Sequence, residues 1–205
     1  EKASQKLRKI ELLAPNNDEV YIQKATILSK SGNHNEAIEN LKIALIHAED
    51  KVDIWSMIGM EYLYLDNFEN AQLSFAKCIE IDFEDYSSLY NMIYCFDMEK
   101  NHEKAVIFLN TYLDGNPYSE VAWHQLGRQY FVLKRFKEAL TCFDYAVLID
   151  ESFIGGYLEK AKTYEQLGEF EDAIKNYMLT LELDDPTAFA YVRIGECYHQ
   201  LGNLD

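Results

Sequence analysis

Proline and glycine are scarce, three and nine in 205 residues. Long irregular connections are thereby disfavoured, and a mostly helical chain with short turns is expected. The four cysteines, Cys78, Cys95, Cys142 and Cys197, include no C-x-x-C pair. That excludes the usual zinc and dithiol redox spacings and leaves them as small buried residues on helices. Such reduced thiols fit a cytoplasmic setting. Bases are also short, 19 Lys and Arg against 35 Asp and Glu, for a net charge of −16. Nucleic acid is not the expected partner, because phosphate binding needs a basic stripe that releases counterions. An anionic membrane surface is excluded for the same reason. No apolar run approaches the roughly 18 residues of a membrane span. The chain starts at Glu1 with neither a methionine nor a signal-like segment, so any native leader is expected to have been lost or trimmed.

What the chain has in quantity is aromatic residues, fifteen tyrosines and eleven phenylalanines, and these fall on a period. Alanine stands at Ala3, Ala37, Ala71, Ala105, Ala139 and Ala173, each 34 residues after the last. A second column is large and apolar: Tyr21, Trp55, Leu89, Trp123, Tyr157 and Tyr191. A third runs Leu28, Tyr62, Phe96, Tyr130, Tyr164 and Tyr198. A fourth, Ala25, Gly59, Ile93, Gly127, Ala161 and Gly195, is small at all but one position. Four columns in one register mark an internal repeat.

Within one period, Trp123, Leu126, Gly127 and Tyr130 lie at i, i+3, i+4 and i+7, one stripe of a helix. Phe136, Ala139, Phe143 and Ala146 form a matching stripe on a second helix. The small columns are expected where two helix backbones approach closely, and the aromatic columns fill the space between periods. Turns such as Ser31-Gly32-Asn33 and Leu167-Gly168-Glu169 offer a glycine for a left-handed cap. Pro15, Pro117 and Pro186 sit where a second helix must stop.

Trp123, Leu126, Gly127, Tyr130, Ala139, Phe143 and Ala146 together resemble the tetratricopeptide-repeat signature, and Trp55, Ile58, Gly59, Tyr62, Ala71 and Phe75 nearly repeat it. The resemblance covers the whole chain. It implies an all-α fold, an α-α superhelix (right-handed solenoid) of antiparallel helix pairs, as a single array over 1–205. Full repeats are placed at 18–51, 52–85, 86–119, 120–153 and 154–187, with half-repeats at 1–17 and 188–205. The repeat at 86–119 departs from the pattern, with Leu89, Ile93 and Tyr112 at positions that are usually aromatic, small and alanine. It is expected to widen locally and shape a pocket; compensated repacking is the alternative.

In this family the concave groove is lined mainly by first helices. Laid on this chain, the resemblance implies a partner-binding set of Met57, Met60, Tyr64, Tyr90, Asn91, Tyr94, His124, Arg128, Phe131, Lys162 and Arg193. Methionine and aromatic side chains suit an adaptable binding strip. Tyr90, Tyr94 and Arg128 are expected to face one cavity. With Glu159, Glu165 and Glu196 opposing the cations, the groove is expected to be close to neutral, and Val121 and Gln125 are also placed on it. The carboxylate clamp of chaperone-binding members is not expected: its best match is His124 and Arg128, then Glu159, then Phe189 and Arg193, and Glu159 would repel a carboxylate.

No catalytic site is expected. The chain has no H-E-x-x-H, no Gly-rich phosphate loop and no G-x-S-x-G. His34 and His102, at the start of second helices, are expected to pack or cap. No cofactor and no metal are implied. The reading is therefore a non-catalytic scaffold or adaptor that binds a protein or peptide ligand. The alternatives are a structural module that self-associates weakly through uncapped ends, and the regulatory array of a larger enzyme or sensor.

Overall fold

Helices of 13 or 14 residues are marginal alone in water and persist by packing an apolar stripe on neighbours. All eleven helices described in the structure, a computed structural model that describes residues 16–183 and 188–202, have those lengths. They are α1 (Asp18–Lys30), α2 (His34–His47), α3 (Val52–Tyr64), α4 (Phe68–Ile81), α5 (Tyr86–Met98), α6 (His102–Gly115), α7 (Glu120–Val132), α8 (Phe136–Ile149), α9 (Ile154–Leu167), α10 (Phe170–Leu183) and α11 (Ala188–Gln200). Among the described residues there is no strand. Ala3, Pro15 and Pro186 lie outside the described residues, as does nearly all of the half-repeat placed at 1–17.

The chain divides into two compact units between Lys100 and Asn101. In the first unit α1 pairs with α2 and α3 with α4, while α2 also packs on α3 and α4 on α5. The second unit pairs α7 with α8 and α9 with α10, and links them through α6 on α7, α8 on α9 and α10 on α11. The second helices α2, α4, α8 and α10 thus each lie between two first helices.

The alanine column is the centre of these contacts, with Ala37, Ala71, Ala105, Ala139 and Ala173 all at zero exposure. The small fourth column has a different cause from the expected backbone approach. A Cβ built on Gly59 would stand 2.6 Å from the Phe75 ring, and one on Gly127 would stand 2.4 Å from the Phe143 ring. What excludes a side chain there is a phenyl ring seated on the helix, sixteen residues further along the chain. Where the fourth column has alanine, the paired residue is Leu41 or Tyr177, which shares a buried cluster with Ala25 or Ala161 respectively.

The turns are equally periodic. Left-handed backbone occurs at Gly32, Asp66, Lys100, Lys134, Gly168 and Gly202, again 34 residues apart. Gly32 and Gly168 take the expected cap. Asp66, Lys100 and Lys134 adopt φ of 52°, 54° and 59° although they carry a Cβ, which costs about 1–2 kcal/mol each relative to glycine. At other helix starts a side chain caps the first turn: Asn67, Asp85 and Ser119 accept from the backbone N–H three residues on.

His34 and His102, expected to pack or cap, reach across to the next helix. His34 Nδ1 lies 2.7 Å from Glu61 Oε2 across the α2–α3 joint. His102 Nδ1 lies 2.9 Å from Gln129 Oε1 across α6–α7. Where the histidine column holds Phe68, Phe136 and Phe170, the residue 27 further on is Cys95, Thr163 or Cys197. Every residue of this second column is buried. The polar contacts seen at the two histidine joints thus coincide with a sequence offset at which phenylalanine goes with cysteine or threonine.

Candidate functional site

In the first unit, the first helices turn one stripe outward. On α3 the spacing of Asp53, Met57, Met60 and Tyr64 puts them on a single face. Asp53 is exposed, the methionines are half-buried, and Tyr64 is 62% exposed. On α5 the corresponding stripe is Tyr90, Tyr94, Asp97 and Met98, with Asn91 half-buried beside it. Tyr90, Tyr94 and Met98 are all exposed. Opposite this stripe, Leu89, Met92, Ile93 and Phe96 are buried. Tyr64 is stacked on the His34 ring, 5.0 Å between centroids and 23° between planes. Because His34 also holds Glu61, the joint between α2 and α3 fixes this tyrosine.

The second unit presents different chemistry. His124 points inward: its ring lies 5.9 Å from Phe143 and 5.1 Å from Phe153, and neither nitrogen has a hydrogen-bond partner among the described residues. Burial pushes the imidazole down to about 4, against the pull of Glu159, with Arg128 and Lys162 adding to the fall. It is a neutral group near pH 7. Val121 and Gln125 are buried as well, at 7% and 2% exposure, and so do not line an open surface. Phe131 packs edge-on against Phe136.

Of the cations, Lys162 pairs with Glu159 at 2.8 Å and lies 6.0 Å from the centre of the Phe189 ring. Arg193 donates to Glu165 through Nε at 3.1 Å and through Nη2, and to Glu196 through Nη1. The Glu165 carboxylate is nearly buried and also accepts from the Cys197 thiol at 3.5 Å. The hydrogen bonds to Glu165 and, after them, to Tyr177 hold the Arg193 guanidinium above its usual range. Burial raises the Tyr177 phenol next to the same pair. Arg128 is exposed and reaches Gln125 through a long 3.4 Å contact. A cleft of about 810 Å³ between α9 and α11 is lined by Glu165, Gln166, Val192, Arg193 and Glu196, among others.

Of the expected set, Met57, Met60, Tyr64, Tyr90, Asn91 and Tyr94 lie in the first unit, and His124, Arg128, Phe131, Lys162 and Arg193 in the second. Glu61 and Gln129, which hold the two joints, are not conspicuous in the sequence. The 27-residue offset that pairs them with histidine is the signal that reveals them. All four cysteines are buried, as expected, and burial raises every thiol, Cys95 and Cys142 to about 12. Among the described residues no cluster of His, Cys, Asp and Glu could hold a metal ion. No described helix is long and apolar enough to cross a membrane.

Family models described as "Tetratricopeptide repeat" match residues 18–45, 52–85, 121–153 and 154–186. The chain belongs to the tetratricopeptide-repeat family. It is similar to the anaphase-promoting complex subunit cut9 of Schizosaccharomyces pombe, 26% identical over 130 residues, covering 62% of this chain and 19% of that protein. The chain thus spans about a fifth of the length of this relative. Among solved structures, a tetratricopeptide repeat protein from Parabacteroides merdae superposes with a TM-score of 0.67 at 20% identity, covering 91% of this chain and 74% of the other. YrrB, described as a repeat protein with an unusual peptide-binding site, gives 0.60 at 17% identity, covering 91% and 96%. These structures establish the all-α repeat solenoid, and the family is one of protein-interaction scaffolds.

Proposed function

We propose that this chain is a non-catalytic scaffold that holds a protein or peptide against the outward faces of its first helices. The observation that carries the reading is the exposure of Tyr64, Tyr90 and Tyr94 at 62%, 44% and 49%. Large aromatic side chains left in water contribute little to packing, and they are the residues most often found as anchors at interfaces. The peptide-binding site named for YrrB and the assembly membership of cut9 agree with this reading. No nucleic acid and no membrane enter it, given the net charge of −16. A cytoplasmic setting fits the four reduced thiols.

Capture of partners on the immobilised chain, followed by calorimetry, tests the reading. Tyr94→Ala should weaken the captured partner by about 1–3 kcal/mol, the range of an anchoring contact. The exposed Glu171 on α10 provides the control, and Glu171→Lys should bind like the parent. A partner indifferent to Tyr94 and sensitive to Glu171 would place the site elsewhere.

A further inference from the structure

The stripe on α3 and α5 lies in the most one-sided stretch of charge in the molecule. Residues 52–99 contain ten carboxylates and a single base, Lys77. Lys77 is already paired with Glu80 on α4 at 2.6 Å. Neither α3 nor α5 contains lysine, arginine or histidine. Two of the carboxylates, Asp53 and Asp97, share the outward stripes with the exposed tyrosines by helical spacing. The near-neutral groove expected from the sequence describes the second unit, where Glu159, Glu165 and Glu196 answer Lys162 and Arg193. It does not describe the first.

Resting on the reading that first-helix faces bind, we propose that the α3–α5 face of the first unit takes a basic peptide segment in which arginine or lysine alternates with apolar residues. A tyrosine face attracts a cation through its ring quadrupole. A guanidinium laid on Tyr90 or Tyr94 would also reach the field of Asp97, three residues beyond Tyr94 on the same helix face. Apolar side chains of the peptide meet Met57, Met60 and Met98, whose unbranched thioethers adapt to varied partners. An acidic segment is repelled by the net negative charge of this stretch, ten carboxylates against one base. Charge sets which segment approaches, and the rings and methionines hold it.

The chain contains its own reporters. Its five methionines are Met57, Met60 and Met98 on this face, Met92 buried on the opposite side of α5, and Met178 on α10. With methyl-labelled methionine in the full chain, three octapeptides are titrated: alternating Arg and Leu, alternating Glu and Leu, and alternating Arg and Ser. The Arg-Leu peptide should shift Met57, Met60 and Met98 and leave Met178 in place. Tyr94→Ala should weaken it at least tenfold, Tyr90→Ala several-fold, and Asp53→Asn with Asp97→Asn several-fold, the last loss vanishing at high salt. Circular dichroism confirms that each variant keeps its helices.

If the Glu-Leu peptide shifts the same methyls as well as or better than the Arg-Leu peptide, the charge assignment is wrong while the face remains a binding site. Arg-Ser binding equal to Arg-Leu and indifferent to Tyr94 reduces the effect to bulk charge and overturns the proposal. So does an Arg-Leu peptide that moves no methionine of the face. The broader scaffold reading falls only if captured partners also ignore Tyr94.

Discussion

The two units solve the same architectural problem with opposite surface chemistry. In the second, Arg193 bridges α9 and α11 through Glu165 and Lys162 closes on Glu159 within α9, while Arg128 stays exposed. In the first, α3 and α5 carry no bases and leave Tyr64, Tyr90, Tyr94 and Met98 exposed, with Met57 and Met60 half-buried. Identical backbone periods therefore do not imply identical roles. Ion pairs that tie one repeat to the next leave few side chains for a ligand, whereas Tyr90 and Tyr94 stay exposed on α5.

The largest effect should come from the rings seated on glycine. Phe75→Ala and Phe143→Ala each remove a fully buried phenyl ring and should cost about 3–5 kcal/mol. Hydrogen exchange read by unit sharpens the comparison: each change should deprotect mainly its own unit, and equal loss in both would merge them into one cooperative body. Tyr94→Ala, measured alongside, should change stability by no more than about 0.5 kcal/mol.

A smaller, pH-dependent effect belongs to the second unit. His124 titrates at about 4 when folded, against 6.5 unperturbed. Between these values the unfolded chain binds a proton that the folded chain does not, so stability falls as the pH drops from 6.5 through 4. The full loss is about 3 kcal/mol, because each tenfold weakening of proton affinity on folding is worth about 1.4 kcal/mol. His124→Phe should flatten that part of the urea-unfolding profile. A profile unchanged by the substitution would mean that the imidazole is hydrated after all.

The smallest effect is a gain common to both units. Lys100→Gly and Lys134→Gly relieve left-handed backbone at equivalent turns and should each stabilise by about 0.5–1 kcal/mol in thermal unfolding, after glycine's greater unfolded-state freedom is deducted. Unequal gains would show that the two turns differ in more than residue type.

Much of the architecture was legible because a 34-residue period repeats every core position, so an accident at one site is corrected by the others. The alanine column and the glycine turns follow directly. What the period could not show was which atoms fill a small residue's space: Gly59 looked like a point of backbone contact, and the structure puts the Phe75 ring there. Site residues were less legible for a related reason. Spacing placed His124 among the groove cations, but a half-turn of side-chain direction decides between solvent and the Phe143–Phe153 pocket. Pairing of Arg193 with Glu165 needed the third dimension as well, since 28 residues separate them.

The joints at Glu61 and Gln129 bear on how such an array can be rearranged. A histidine at the head of one second helix meets an acid or amide on the next first helix, and a phenylalanine at that position goes with cysteine or threonine. Repeats that look interchangeable are thus keyed in sequence order. Exchanging the second repeat with the first would bring Glu61 to the front of the array and set a phenylalanine where the imidazole belonged, stranding polar atoms in a dry contact. Shuffling whole repeats to make new binders would succeed only when the key travels with its lock, which means cutting the chain inside a helix pair instead of at the turn between repeats.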